Sequence, residues 1–583
     1  MNLGDIRRVD TGAFGDLATS LSSRVASIQD AQGSFAKITQ FPGWSGAAKD
    51  AATQNFQNID TSLLDDIARL SAVREAVSEL HDDFTQLQTE LRALEQEADA
   101  LGATIDDNGF VHDKPDAHIS DAQRARIANL SAEVAEVIRA ANRLDEKAAD
   151  VLKRATDGTI TAGGAADDAQ AAHAGEQQGE LGVADPPPGK GSPDANTGWW
   201  NSLPPKQRQW VIDNHPDWIG GRDGVSASAR DAANRTLIPA ERARLTAERD
   251  RLQRELDSNP FGGAFSDKDA QLWYVKKKLD DLDAIDRSLN QYGKDAKLLV
   301  LDMRSGERGK AAIALGDPDT ADHISVTTPG LDSSVGGSLN GMVGEASDLK
   351  SETERILRAQ GKPGETVSTI AWIGYQCPHV DGPGWGDWAR GGADVSQDTL
   401  AKAGAQDLSR FYQGLNAAWH PSDGRADTGP QITALGHSYG SLTTSLALQQ
   451  TPPGVVQNAV LYGSPGIEAD SAQQLHMQAG HIFAMQGDGD TIKLAAGTGN
   501  FGADPSVQSW VTRLSTHEGI TLGDSLDGIG VRHEGIQQNG HEHSQYPQNG
   551  SNGELRMPGY NMAAVVAGMT GDDGRKDVTQ HGE

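Results

Sequence analysis

A single cysteine, Cys377, occurs among 583 residues, so no intrachain disulfide can form and cysteine usage points to no particular redox compartment. Its position after an apolar run reads as that of a small core residue. Positive charge is also scarce. Lys and Arg total 51 against 82 Asp and Glu, and the net charge of -31 would repel phosphate backbones and anionic lipid surfaces alike. Nucleic acid is therefore not an expected partner. Nowhere does the chain offer the roughly 20 consecutive apolar residues that span a bilayer, and "MNLGDIRRVDTGAFGDLATSLSSRV" holds no apolar run of signal-peptide length. The expectation is a soluble protein, either cytoplasmic or exported without a conventional signal peptide. No internal repeat is evident.

Glycine and proline are absent from Ala47 to Leu101, where Leu63, Ile67, Leu70, Val73, Val77, Leu80, Phe84, Leu87, Leu91 and Leu94 recur at steps of three or four. This spacing predicts one long amphipathic helix with a coiled-coil-like seam. After the breaker "GATIDDNGFVHDKP" a second stripe runs from Ile127 to Val151. Residues 1–155 thus read as an all-α bundle or hairpin, whose seam could also serve a helical protein partner. Residues 156–197, made largely of Gly, Ala, Asp, Gln and Pro, have little to bury and read as a flexible linker.

An aromatic, helical entry or cap region spans 199–292, and from Ala296 the pattern changes. Short apolar runs at 297–303, 311–317, 323–330, 366–374, 431–436, 458–466 and 481–490 alternate with helix candidates at 345–360, 398–418, 439–450 and 469–478. Near-continuous apolar strands between helices predict an α/β domain over 198–570, its mostly parallel sheet covered on both faces and opened by an antiparallel hairpin. Residues 571–583 form a polar tail.

In this domain "QITALGHSYGSLTTSLALQ" carries Gly436-His437-Ser438-Tyr439-Gly440. With 67 glycines, a bare G-x-S-x-G is expected by chance about half a time, so its context decides. A strand ends at Gly436 and an apolar helix follows Gly440, as a nucleophile elbow requires, since only small neighbours permit the strained turn. A serine hydroxyl needs a base to take its proton, and the base an acid to fix its tautomer. In this architecture the chain order is Ser, acid, His. Asp490, with Asp488 second, lies at the end of a later strand, and His543 is preferred as base over His533 and His541. The amides of Tyr439 and Leu331 are the candidate oxyanion donors. His533, Glu534, His541, Glu542 and His543 lack the spacing of a helical zinc motif, so neither metal nor cofactor is expected.

The blocks "TGWWNSL", "GRDGVSASARDAANR", "ALGDPDTADHISVTTPG", "AWIGYQCP", "LGHSYGS", "LYGSPG" and "HSQY" together resemble a family of actinobacterial α/β-hydrolases long labelled only as a domain of unknown function. The resemblance covers about residues 196–570. It implies an α/β-hydrolase fold and a triad falling on Ser438, Asp490 and His543, although Asp490-Thr491 stands where the family usually has Asp-Pro. Trp44-Ser45-Gly46, within "FPGWSGAAKDAA", resembles the Trp-x-Gly turn of helical-hairpin proteins of type VII secretion, which implies export by that route. The expected activity is hydrolysis of a small-molecule or lipid ester by a serine esterase. The alternative is an interaction or effector protein in which the helical bundle acts and the hydrolase fold is a scaffold.

Overall fold

The computed structural model describes residues 1–38, 43–115, 119, 121–182, 184, 186–189, 191–258, 267–380, 398–421, 429–497, 499–525, 529–569 and 579–580. The chain divides into two compact units: one of residues 1–118, 127–189 and 198–210, the other of 119–126, 190–197 and 211–583. Most of the expected polar tail lies outside the described residues.

The first unit is built on the helix Ala47–Ala100, whose apolar stripe is buried at Ile67, Phe84, Leu87, Leu91 and Leu94. Each fully buried side chain of this kind contributes roughly 1.5–3 kcal/mol. The helix Thr11–Ile38 packs along it, and at the start of the long helix Gly46 takes φ +107°, a conformation that favours glycine. Trp44, two residues before that glycine, is 41% exposed. The breaker region folds into an antiparallel hairpin, β1 (Ala103–Ile105) and β2 (Val111–Asp113), before the helix Asp121–Thr156, whose stripe buries Ile127, Leu130, Val134, Val137 and Val151.

The segment expected as a flexible linker is partly helical. Asp168–Gly179 forms a helix, with the Asp167 side chain accepting from the Gln170 amide, and packs on Ala47–Ala100. A Cβ on Gly175 would lie 2.1 Å from the Ala68 carbonyl oxygen, and one on Gly179 equally close to that of Ala72. Small residues let the backbones approach where a composition average shows only polarity.

The second unit holds an eight-stranded sheet in the order β10-β9-β8-β7-β5-β6-β4-β3. Its strands are β3 (Ala296–Asp302), β4 (Lys310–Leu315), β5 (His323–Thr328), β6 (Val367–Ile373), β7 (Gln431–His437), β8 (Asn458–Tyr462), β9 (Ile482–Met485) and β10 (Thr512–Arg513). From β6 through β10 all pairings are parallel, whereas β4 runs antiparallel to β3 and β6. The apolar runs are strands because both faces are covered: every residue of β6 and β8 is buried. The helices Val335–Ala359, Thr399–Ala418, Tyr439–Leu448 and Met557–Val566 supply the cover. A further hairpin pairs β11 (Gly519–Thr521) with β12 (Val531–His533).

Two expectations differ from the fold. The region 199–292 is not one cap: the helices Ala227–Asp257 and Lys268–Tyr292 bury Leu245, Leu282, Ile285 and Leu289 in the same core as β3 and β4. Residues 469–478 form only the short 3-10 turn Gln473–Leu475, because His476 takes φ +53° and its ring bonds the Thr451 carbonyl at 2.7 Å.

Candidate active site

Ser438 sits between the last residue of β7 and the first of the helix Tyr439–Leu448, with φ +53° and ψ -131°. For a residue with a Cβ this conformation costs on the order of 1–3 kcal/mol and persists only where its surroundings enforce it. They do so from two sides. The Ser438 amide donates to the Tyr462 carbonyl on the neighbouring β8 at 3.0 Å. On the other side, a Cβ on Gly440 would stand 2.3 Å from the Thr328 carbonyl oxygen and 2.5 Å from that of Pro329. A Cβ on Gly436 would meet the Ser441 Cα at 2.7 Å. Both flanking glycines are sterically required.

The loop after β5 lies against this turn. A Cβ on Gly330 would reach the Ser438 Cβ at 2.6 Å and the Tyr439 nitrogen at 2.9 Å, so the Leu331 amide issues from the point of contact with the elbow. The loop is fastened from behind. Tyr375, buried, donates its hydroxyl to the Pro329 carbonyl at 2.7 Å. Asp332, at φ +57°, donates its amide to the Pro378 carbonyl at 2.8 Å, and its carboxylate accepts the Val380 amide at 2.9 Å. The Tyr439 amide belongs to the first turn of its helix, where N–H groups have no intrahelical acceptor.

Beyond β9 the chain turns through Gly487–Asp490 and buries the Asp490 carboxylate. His543, brought in by the 3-10 turn Glu542–Ser544, places Nδ1 at 3.0 Å from each Asp490 oxygen. Burial pushes the Asp490 carboxyl up, but the His543 ring, the Ile492 amide at 3.0 Å and the Tyr546 hydroxyl at 2.8 Å outweigh it and hold the group below the usual carboxylate range. The ring lies over Gly463, where a Cβ would stand 3.1 Å from Cε1; Gly463 directly follows β8, the strand beside that of Ser438. With Nδ1 on the carboxylate, Nε2 is the ring nitrogen left for another partner. Among the described residues Ser438 and His543 share no hydrogen bond.

The other candidates are elsewhere. Asp488 is exposed and pairs with His517 at 2.8 Å. His541 stands at the start of the 3-10 turn, exposed. His533 is wholly buried, with Nε2 at 3.1 Å from Asp524 and Nδ1 at 2.7 Å from the Leu555 carbonyl. The five-residue metal cluster considered from the sequence does not assemble: Glu534 turns to Ser551 and Arg556, and His543 to Asp490.

A family model described as "Alpha/beta hydrolase" matches residues 305–499, a span that holds Gly330, Ser438 and Asp490. An uncharacterized protein of Mycobacterium tuberculosis, Rv0963c, is 38% identical over 287 residues, which is 48% of this chain and 99% of that protein. The chain belongs to the alpha/beta hydrolase family. An uncharacterized Mycobacterium bovis protein, Mb0988c, matches to the same extent. A second M. tuberculosis protein, Rv2079, is 31% identical over 386 residues, 63% of this chain and 55% of that one. No solved structure matches.

Around the pair, this alpha/beta hydrolase places residues that the sequence reading passed over. His437 donates from Nε2 to the His543 carbonyl at 2.8 Å, its ring stacked on Tyr462 at 5.0 Å and tilted against His543 at 4.7 Å. Shielding from water lowers the His437 pKa to about 4, so its ring is neutral near pH 7. Its signal was its place immediately before the serine. Tyr546 is the second such residue, visible only as the last letter of "HSQY". A third grouping, Glu352, Asp524 and His533, has ligand-type atoms close enough to hold a metal ion. The Arg355 guanidinium, at 2.6 Å from Glu352 and 2.8 Å from Asp524, already supplies the positive charge there.

Proposed function

We propose that this hydrolase cleaves an ester or related acyl bond through a covalent acyl-serine at Ser438. The observation carrying the reading is the Asp490–His543 pair, with Asp490 in the turn beyond β9 and the His543 ring over the residue that follows β8, together with a serine held at positive φ directly after β7. In the first half-reaction the Ser438 oxygen attacks the substrate carbonyl carbon while His543 Nε2 takes the hydroxyl proton. Asp490 holds the imidazole in the right tautomer and stabilises its charge. The carbonyl oxygen, now anionic, accepts from the Tyr439 and Leu331 amides. Collapse expels the alcohol, which receives the proton from His543. Water, activated by the same imidazole, then releases the acid and restores the serine.

Three exposed apolar side chains flank these residues in sequence and support an apolar acyl group as the preferred substrate portion. Leu331, 40% exposed, carries one oxyanion amide; Val380, 39% exposed, is bonded to Asp332; Leu494, 79% exposed, follows Asp490 on the next short helix. A substrate with a neutral head group also suits a chain of net charge -31. Labelling with a fluorophosphonate probe tests the reading: the wild type is expected to be modified and Ser438→Ala not. Equal labelling of the two would remove Ser438 from the chemistry. A series of p-nitrophenyl esters of rising chain length would then define the acyl preference, with kcat/KM expected to rise from acetate to medium chains.

A further inference from the structure

Tyr546 is wholly buried three positions after His543, and both rings pack over Gly463, where an added Cβ would stand 3.1 Å from His543 Cε1 and 3.2 Å from Tyr546 Cε2. Its hydroxyl makes two hydrogen bonds of fixed direction. The Gly487 amide donates to the phenol oxygen at 2.8 Å, and because an N–H can only donate, the phenol hydrogen is left to point at Asp490 Oδ2, also at 2.8 Å. The phenol cannot release that hydrogen near neutral pH, since burial, and then the adjacent Asp490 charge, raise its pKa well above the usual tyrosine value. It is a permanent donor. The Asp490 amide in turn donates to the Gly487 carbonyl at 3.2 Å, so the hydroxyl closes a loop across the turn that presents the carboxylate.

Resting on the acyl-transfer reading above, we infer that Tyr546 is a positioning residue that fixes the Asp490 carboxylate and shares its charge with His543. With Oδ2 held by the phenol and Oδ1 by the Ile492 amide, the carboxylate plane is fixed from both oxygens and His543 Nδ1 faces their midpoint, 3.0 Å from each. Charge drawn toward the phenol is charge withheld from the imidazolium. The donor therefore competes with the imidazolium for the carboxylate's charge while holding the carboxylate's orientation. A tyrosine that only filled the core would do neither.

The experiment is the pH profile of kcat/KM on a p-nitrophenyl ester for Tyr546→Phe, which keeps the ring and removes the donor. The low-pH limb of that profile is expected to move up by about half a pH unit, and kcat to fall about three- to tenfold at unchanged KM. Site-specific Tyr546→3-fluorotyrosine makes a stronger donor without leaving a cavity, and is expected to move the same limb down. Tyr560→Phe, which removes a buried hydroxyl away from Asp490, is expected to keep the wild-type profile. Limbs that coincide for the wild type and both position-546 variants would overturn the inference while leaving the acyl-serine reading intact. Full activity in Ser438→Ala, measured alongside, would instead overturn that reading and this one with it.

Discussion

The imidazole of His437 bonds the backbone carbonyl of His543 at 2.8 Å, across 106 residues of chain. The residue before the serine thus grips the main chain of the residue proposed as its base. Held neutral, His437 carries one N–H, and that N–H is spent on the carbonyl. The base is then located relative to the elbow by a direct bond as well as by the sheet.

His437→Phe is expected to lower kcat about three- to tenfold, the kinetic equivalent of one modest hydrogen bond, because the His543 turn loses its tie to β7. His437→Gln, which can still donate, is expected to recover most of the loss. Steady-state kinetics on one chromogenic ester, with circular dichroism to confirm folding, distinguishes the two. Equal rates in both variants and the wild type would show that the tie does not matter.

Asp490→Asn is expected to reduce kcat by about 10³- to 10⁴-fold, since an amide stabilises neither the required tautomer nor the imidazolium. Asp488→Asn, altering an exposed group paired with His517, is expected to stay within about twofold of the wild type. The pair of measurements separates two aspartates that differ by a single intervening glycine. A larger loss at 488 than at 490 would reassign the acid.

Glu345 lines a small, largely apolar cavity with Met342, Leu349, Leu435, Tyr462 and Met562, and burial raises its pKa to about 7. A carboxyl whose folded-state pKa lies above its unfolded value of 4.5 binds its proton more tightly when folded, so its ionisation destabilises the fold as pH rises from about 4.5 through 7. Glu345→Gln is expected to abolish that loss. Relative to the wild type, the variant should gain on the order of 2–3 kcal/mol between pH 5 and pH 8. Urea unfolding at the two pH values measures the difference, and a wild type and variant that track each other would contradict the assignment.

Much of this was legible in the sequence because it rests on local chemistry. Apolar runs such as "VSTIAWI" and "NAVLY" could be buried only on both faces, which fixed the parallel sheet, and the glycine at 436 answers to contacts within a few residues of the serine, whereas that at 440 answers to the distant loop after β5. Asp490 and Asp488 illustrate the limit. Both flank Gly489 in the same turn, and only the folded chain brings His543 to one and His517 to the other. His437 and Tyr546 were passed over for the same reason: their partners lie on distant segments, and neither residue type announces a hydrogen bond to another residue's backbone or carboxylate. The helix Asp168–Gly179 was hidden differently, since its contact surface consists of absent side chains.

That last surface sets its own terms for change. Where Gly175 and Gly179 meet the main chain at Ala68 and Ala72, even one added methyl group has no room, so spacing between these two segments is fixed by the thickness of the peptide backbone. Homologous chains that keep this seam should vary in length on either side of it while admitting nothing bulkier than hydrogen at those two places.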